Sequence, residues 1–191
     1  MSLTKFCPPC VPVQRPLLFA LTVFLCLPAF PSYEMVSGVA ERISDGDTLR
    51  LHEKDGQLRV IRLAGIDAPE KGQDFGHRAS RRLAYLCLGK KVDADIRTKD
   101  KYGRTVARVR CDGQDVAHQL LLEGLAWHYK RFANTQPSQE ALEDTHTQLE
   151  AQRKQIGLWS QTDPTPPWVW RANQAKSKAS KNQIESVGSR D

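Results

Sequence analysis

The chain has 191 residues, of which 40% are hydrophobic and 26% are charged. This length and composition fit one soluble domain with extensions, and they exclude a chain that is disordered throughout or that crosses a membrane many times. The net charge of +6 does not by itself indicate a nucleic-acid partner, because residues 171–191 carry +3 of it and residues 1–35 carry +1. The case for a function therefore depends on individual residues.

Residues 1–30 have the pattern of a secretory signal. Lys5 and Arg15 precede an uncharged apolar run from Leu17 to Phe30, which is shorter than the about 20 residues that a membrane-spanning helix needs. We therefore expect a secreted or periplasmic protein from which this segment is removed. The alternative is a segment that stays uncleaved as an N-terminal membrane anchor.

Short segments with partial alternation of apolar and polar residues predict β-strands. The five predicted strands are Val39–Ile43, Thr48–His52, Leu58–Ile66, Lys91–Ile96 and Val106–Cys111. Asp55-Gly56, between the second and third of these, is typical of a hairpin turn.

Apolar residues at helical spacing predict three helices. They are Gly76–Leu88, a segment capped by Asp115 that stops at Gly124, and a segment that follows Pro137 and ends before Gly157. The third helix is expected to bury Leu142, Thr145, Leu149 and Ile156. The order along the chain is three strands, a helix, two strands and two helices. This order predicts an α+β domain, namely a five-stranded OB-fold (Greek-key) β-barrel with three α-helices.

Residues 172–191 predict a disordered basic tail. Their only large apolar residues are Ile184 and Val187, so the segment cannot bury enough surface to offset the loss of chain entropy. Weak attraction to polyanions is the functional alternative to a solvated terminus.

Charged residues gather in three short motifs at predicted strand ends. The motifs are Asp45-Gly46-Asp47-Thr48, the segment from Arg62 to Glu70, and Asp100-Lys101-Tyr102-Gly103-Arg104. If barrel closure brings them to one rim, the acids supply hard oxygen ligands to a cation such as Ca²⁺, and the arginines supply forked donors to phosphate oxygens. A remaining carboxylate can take a proton from water. This combination is what in-line attack on a phosphodiester requires.

These motifs, in this order and spacing, resemble the staphylococcal nuclease family, in its bacterial form with a short segment, residues 71–76, before the first helix. The resemblance covers about residues 36–171. It continues through Gly124-Leu125-Ala126-Trp127, Gly157-Leu158-Trp159 and Pro166-Pro167-Trp168. It implies Ca²⁺-dependent cleavage of DNA and RNA, with unpaired strands preferred. It also implies scission of the 5′-oxygen bond to leave 3′-phosphate ends, by a monomer without a stable protein partner.

The resemblance also implies roles for the acidic residues. Asp47 and Asp67 match the family's calcium carboxylates, and Glu70 matches its proposed general base. Ala68 stands where the founding member has a threonine that binds the metal through its backbone carbonyl.

Two arginines and three further residues match groups that contact the substrate. Arg62 and Arg104 correspond to the phosphate-binding arginines, and Lys101 and Tyr102 to groups near the terminal phosphate. Tyr129 is the match for a tyrosine that stacks on a base.

Alternative interpretations stay open at this stage. The charged residues could form a purely structural ion-pair network, and the tryptophans beside Leu and Pro are expected to pack rather than to stack on bases. A non-catalytic OB-fold module that binds single-stranded nucleic acid or a protein partner is the alternative function. Degenerate copies of such domains usually lack the acids and arginines, whereas this chain keeps all five.

Cys87 and Cys111 are the cysteines that remain after removal of the signal. In the family's fold both positions face the core, and oxidising conditions outside the cytoplasm favour a disulfide between them. The alternative is a pair of separate buried thiols.

Overall fold

The computed structural model describes residues 34–131 and 136–188, with side chains as far as Gln183. The predicted signal segment lies outside the described residues. Among the residues that are described, no helix has the length and apolar character that a membrane span requires.

Strands of the described part form one curved sheet and a short two-stranded ladder. Their bounds are β1 Met35–Ile43, β2 Thr48–Glu53, β3 Leu58–Leu63, β4 Ile66–Asp67, β5 Lys91–Lys99, β6 Thr105–Cys111, β7 Gln114–Asp115 and β8 Trp127–His128. The order in the sheet is β3-β2-β1-β5-β6-β7, and a parallel pairing of β3 with β6 closes it into a barrel. The predicted five-stranded OB-fold barrel is confirmed.

The third predicted strand is longer than the observed one. It was expected to run from Leu58 to Ile66, but β3 ends at Leu63 and a turn at Gly65 separates it from β4. Gly65 has a φ of 77°, a conformation that favours glycine. The chain consequently leaves the barrel ladder here, and β4 pairs with β8.

Four α-helices are described where the sequence predicted three. Their bounds are α1 Gly76–Cys87, α2 Val116–Leu122, α3 Ser138–Arg153 and α4 Pro167–Gly188, with a 3₁₀ turn at Gly157–Ser160. The α1 helix buries Ala79, Leu83, Leu86 and Cys87 against the barrel, as its spacing predicts. The Asp115 carboxylate accepts the N–H of His118 and caps α2.

The predicted buried face of α3 is wrong. Leu142, Leu149 and Ile156 are exposed, and Thr145 is only half-buried; the helix instead buries Asp144, Thr147 and Ala151. The reason is a buried cation on β6. The Arg108 guanidinium lies 2.7 and 3.0 Å from the two Asp144 carboxylate oxygens, and a buried charge must be paired. This ion pair sets the rotation of the helix against the barrel.

The tail was predicted to be disordered over residues 172–191, but the part of it that the structure describes, residues 172–188, is helical. The α4 helix begins at Pro167, a residue that suits the first helical position, and continues to Gly188. Eight of the 17 residues from 172 to 188 are alanine, lysine or glutamine, which favour a helix. The side chains of residues 171–183 are exposed.

A disulfide bond joins Cys87, at the end of α1, to Cys111, at the end of β6. Their Cα atoms are 5.2 Å apart, and both residues are buried in the main hydrophobic core. The bond therefore ties the first helix to the closing strand of the barrel.

Candidate active site

Asp47 lies in the turn between β1 and β2, and local hydrogen bonds fix it. Its N–H donates to the Asp45 carboxylate at 3.1 Å. Its own buried carboxylate accepts the Thr48 hydroxyl at 3.0 Å and the N–H of Ala68 at 3.1 Å. The Asp47 side chain is thereby held against the segment that contains β4.

Arg62 links two acids that are distant in the sequence. It lies opposite Thr48 in the β2–β3 register, which brings it next to the Asp47 turn. Its Nη1 is 2.7 Å from Asp47 Oδ2, and its Nη2 is 2.8 Å from Asp67 Oδ1. One guanidinium thus bridges two carboxylates, as expected if closure of the barrel assembles the motifs.

Burial affects the pKa values of Asp45, Arg62 and Asp67, which form a cluster with Asp47. Burial raises the pKa of Asp67, and the neighbouring Asp47 raises it further. Burial and Asp47 also raise the pKa of Asp45, to about 6. Burial works against the charge of Arg62, but Asp47 and Asp67 outweigh it and raise the pKa of this guanidinium. The cost of burying the Asp47 and Asp67 charges is thus offset by a cation, which Arg62 supplies in this structure.

The donors of this cluster fit a calcium ion. No group of three or more His, Cys, Asp or Glu side chains that could hold a metal occurs in the described part of the chain. Asp47 and Asp67 form a pair, so carbonyl and water oxygens would have to complete a metal's ligand shell. Ca²⁺ accepts such mixed oxygen shells. Ala68 adjoins both acids and could supply its backbone carbonyl.

Arg104 is positioned by the hairpin between β5 and β6. Arg62 pairs with Val106 in the parallel β3–β6 register, so Arg104 lies two residues before the partner of Arg62. Arg104 Nε is 2.7 Å from Asp100 Oδ2, and Asp100 Oδ1 accepts the backbone N–H groups of Tyr102 and Arg104. Burial works towards a higher pKa for Asp100, but the hydrogen bonds from Arg104 and Tyr102 outweigh it and hold that pKa below its ordinary value.

The other predicted substrate residues lie around this arrangement. The Tyr102 ring is 72% exposed, with Lys101 Nζ at 4.9 Å and the Arg104 guanidinium at 5.6 Å from its centroid. Tyr129 is half-buried, and its N–H donates to the carbonyl of Gly65, which begins the turn into β4. The structure thus brings Asp47, Arg62, Asp67, Ala68 and Glu70 together, places Tyr129 beside β4, and leaves Lys101 and Tyr102 on the exposed hairpin.

Sequence reasoning missed Arg171, on the first turns of α4. Its guanidinium spans both Asp67 oxygens, with Nη2 2.7 Å from Oδ2 and Nη1 3.1 Å from Oδ1. The same Nη1 is 2.5 Å from Glu70 Oε1. Hydrogen bonding to Asp67 raises the pKa of Arg171. Arg171 therefore joins the predicted metal ligand to the predicted base.

Aromatic packing holds Arg171 in place and was the available signal for it. The Trp168 ring centroid is 5.7 Å from that of Trp127 and 5.4 Å from that of Tyr129. Trp127 in turn packs edge-on against Trp159 at 4.3 Å. Tryptophans in the C-terminal motif thus anchor the start of α4, as expected of packing residues, and Arg171 follows Trp168 by three positions. These features define an OB-fold protein whose rim is suited to bind phosphodiesters.

Comparisons with known proteins agree with this class. Residues 60–161 match the family described as staphylococcal nuclease homologue. A protein described as an uncharacterized endonuclease from Escherichia coli O157:H7 is 38% identical over 137 residues, which is 71% of this chain and 85% of that protein. A micrococcal nuclease from Shigella flexneri is 35% identical over 177 residues, or 88% and 94% of the two chains. The chain belongs to the staphylococcal nuclease family and is a nuclease, a hydrolase.

Proposed function

We propose that this nuclease is an exported, Ca²⁺-dependent endonuclease that cleaves DNA and RNA, with unpaired strands preferred, and leaves 3′-phosphate ends. The observation that carries the proposal is the Arg62 guanidinium, 2.7 Å from Asp47 and 2.8 Å from Asp67. It joins the two carboxylates that are proposed to bind the metal to a guanidinium that is proposed to bind phosphate. The printed names of the relatives, endonuclease and micrococcal nuclease, support nucleic acids as substrates.

Asp47, Asp67 and the Ala68 carbonyl would hold the calcium ion. When bound, Ca²⁺ supplies positive charge that polarises a phosphate oxygen. The buried carboxylates would fix the place of this charge, because hydrogen bonds tie Asp47 to Thr48 and Ala68.

Glu70 is the proposed base, and the arginines are the proposed donors to the phosphate. As a water oxygen bonds to phosphorus, its proton passes to Glu70, and the bond from phosphorus to the 5′-oxygen breaks. The 5′-oxygen leaves and is protonated from solvent, while the phosphate stays on the 3′ side. Arg62 and Arg104 donate to the non-bridging oxygens, whose charge grows in the transition state.

Lys101, Tyr102 and Tyr129 would surround the rest of the substrate. Tyr102 offers an exposed ring beside two cations, an arrangement suited to a nucleotide with its phosphate. The proposed preference for unpaired strands follows from this, since a base must leave the duplex before its face can stack on a side chain.

Export is supported by two features of the chain. The first is the charge and hydropathy pattern of residues 1–30. The second is the bond between Cys87 and Cys111, because structural disulfides persist in oxidising compartments. N-terminal sequencing of the protein recovered from the periplasm or medium tests export, and recovery in the cytoplasm with residues 1–30 intact would contradict it.

Digestion of single-stranded DNA and RNA by the purified protein tests the activity. We expect cleavage with Ca²⁺, poor cleavage with Mg²⁺, which prefers a tighter octahedral shell, and none with chelator. Analysis of the product ends should show 3′-phosphates.

A pair of variants with the same charge change tests the proposed base. Glu70→Gln should lose most of the activity, whereas Glu143→Gln, on the exposed side of α3, should keep it. Undiminished cutting in chelator, or equal activity of the two variants, would contradict the proposal.

A further inference from the structure

The described part of α4 presents an exposed basic surface that starts in the active site. From residue 167 to residue 183 it carries four cations and no acidic residue. The cations are Arg171, Lys176, Lys178 and Lys181, and their side chains are exposed. Apart from Arg171, the site described above uses none of them.

Three of the four cations lie on one face of the helix. Lys178 and Lys181 follow Arg171 by seven and ten positions, which places all three within a wedge of about 80° at 3.6 residues per turn. Lys176 is five positions from Arg171, about 140° around the helix. We call Arg171, Lys178 and Lys181 the basic stripe.

The basic stripe begins at the acidic residues of the active site, Asp67 and Glu70. Its first member contacts Asp67 and Glu70, and packing of Trp168 against Trp127 and Tyr129 fixes the start of the helix. From Arg171 to Lys181 the helix rises about 15 Å. That length corresponds to roughly four stacked nucleotides of one strand.

We propose that the basic stripe binds the single nucleic-acid strand that extends from the phosphate cleaved beside Asp67 and Glu70. The proposal rests on the proposed function and adds to it an element that holds the substrate outside the site. The exposed ammonium groups of Lys178 and Lys181 complement the phosphates of such a strand, and Arg171, which pairs with Asp67 and Glu70, marks the end of the stripe at the site.

A strand fits this surface better than a membrane does. A helix that lies in a lipid interface needs an apolar face opposite its basic one. Between Arg171 and Gln183 the only apolar side chains are alanines, so α4 has no such face there. The basic stripe therefore binds its partner through charge alone.

Binding measurements with matched variants test the proposal. Lys178→Gln and Lys176→Gln make the same charge change two residues apart, on and off the basic stripe, and glutamine keeps the helix propensity of lysine. The full-length protein is titrated in chelator, so that nothing is cleaved. The probes are a fluorescent dinucleotide and a fluorescent oligothymidylate of about twelve nucleotides, which is well beyond the roughly four that the stripe spans.

Only the stripe variant should weaken binding of the longer strand. Each phosphate contact contributes about 0.7 to the slope of log affinity against log salt for a single strand. Lys178→Gln should therefore reduce this slope by about 0.7 and Lys178→Gln/Lys181→Gln by about 1.4, whereas Lys176→Gln should leave it unchanged. None of the three variants should alter binding of the dinucleotide.

Equal effects of Lys176→Gln and Lys178→Gln would overturn the proposal, because the lysines would then act only through net charge. No effect of Lys178→Gln would overturn it as well, and so would binding to vesicles of anionic phospholipid in place of the strand. Cleavage by the wild-type protein with Ca²⁺ is assayed separately. If cleavage fails while the stripe variants still weaken strand binding, the proposed function is wrong and the binding surface stands.

Discussion

Replacing Arg62 by alanine should destabilise the folded protein as well as slow cleavage. The Arg62 side chain is 14% exposed, and it lies between the side chains of Asp47 and Asp67, which are 9% and 1% exposed. Removing one partner of a buried ion pair costs about 3–5 kcal/mol, because the other partner keeps an uncompensated charge. For Arg62→Ala we expect a loss in that range in the absence of metal.

Arg104→Ala is the matched comparison. The Arg104 side chain is 31% exposed and pairs with a single carboxylate, Asp100, and partly exposed pairs contribute about 1 kcal/mol or less. Both variants should slow cleavage by at least about a hundredfold, because each removes a donor to transition-state charge. Lysine should not restore either site fully, since it lacks the planar fork.

Urea unfolding monitored by tryptophan fluorescence, in chelator and in Ca²⁺, separates the two effects. A cation that binds the folded state should restore more stability to Arg62→Ala than to the wild type. Adding Asp47→Asn to Arg62→Ala should also recover stability, because the Asp47 carboxylate has lost its arginine, whereas Asp67 keeps Arg171. Equal unfolding midpoints of Arg62→Ala and the wild type in chelator would show that Asp47 and Asp67 do not share this guanidinium.

Three further predictions follow from buried or paired groups. Asp100→Asn should lower kcat by up to about a hundredfold, because the Arg104 Nε loses the charged partner that positions it. Since the pKa of Asp100 is depressed in the folded state, its contribution to stability is present above the ordinary carboxyl pKa and disappears as the pH falls through the depressed value. Opening the Cys87–Cys111 bond, which closes a loop across a separation of 24 residues, should cost about 3.5 kcal/mol. Asp144→Ala should cost up to about 3 kcal/mol, because the buried Arg108 loses the hydrogen bonds of both Nη atoms and keeps the Asp115 carboxylate at its Nε.

Each of these has a direct measurement. For Asp100→Asn, the unfolding free energies of variant and wild type are compared across acid pH, and a constant difference would rule out the carboxylate as its source. For the disulfide, alkylation of the denatured, unreduced protein should find Cys87 and Cys111 blocked. For α3, Leu142→Ala on the exposed face is the control, and a loss as large as that of Asp144→Ala would mean that the ion pair does not hold the helix.

The barrel was predictable because its signals are local. Within each strand, apolar and polar residues alternate or a few apolar residues follow one another. Turns such as Asp55-Gly56 limit how neighbouring strands can pair. The face of α3 was not predictable in this way. Counting apolar residues selected Leu142 and Leu149, whereas a polar pair, Asp144 with Arg108, determines which side is buried. Hydrophobic periodicity carries no information about such a partner on a distant strand.

The same distinction explains which parts of the site the sequence could predict. Arg62, Asp67 and Glu70 lie within one short segment, and the β2–β3 register brings Asp47 to them, so a barrel of this kind places these groups together. Arg171 is 104 residues from Asp67 in the sequence, and it reaches the site because Trp168 packs beside β8. No sequence spacing links Trp168 to Asp67, the acid that Arg171 contacts. The strand register thus determines the positions of Asp47, Asp67 and Arg62. The position of Arg171 depends instead on how α4 packs against the barrel domain. The proposed substrate contacts of α4 can therefore vary without disturbing the barrel.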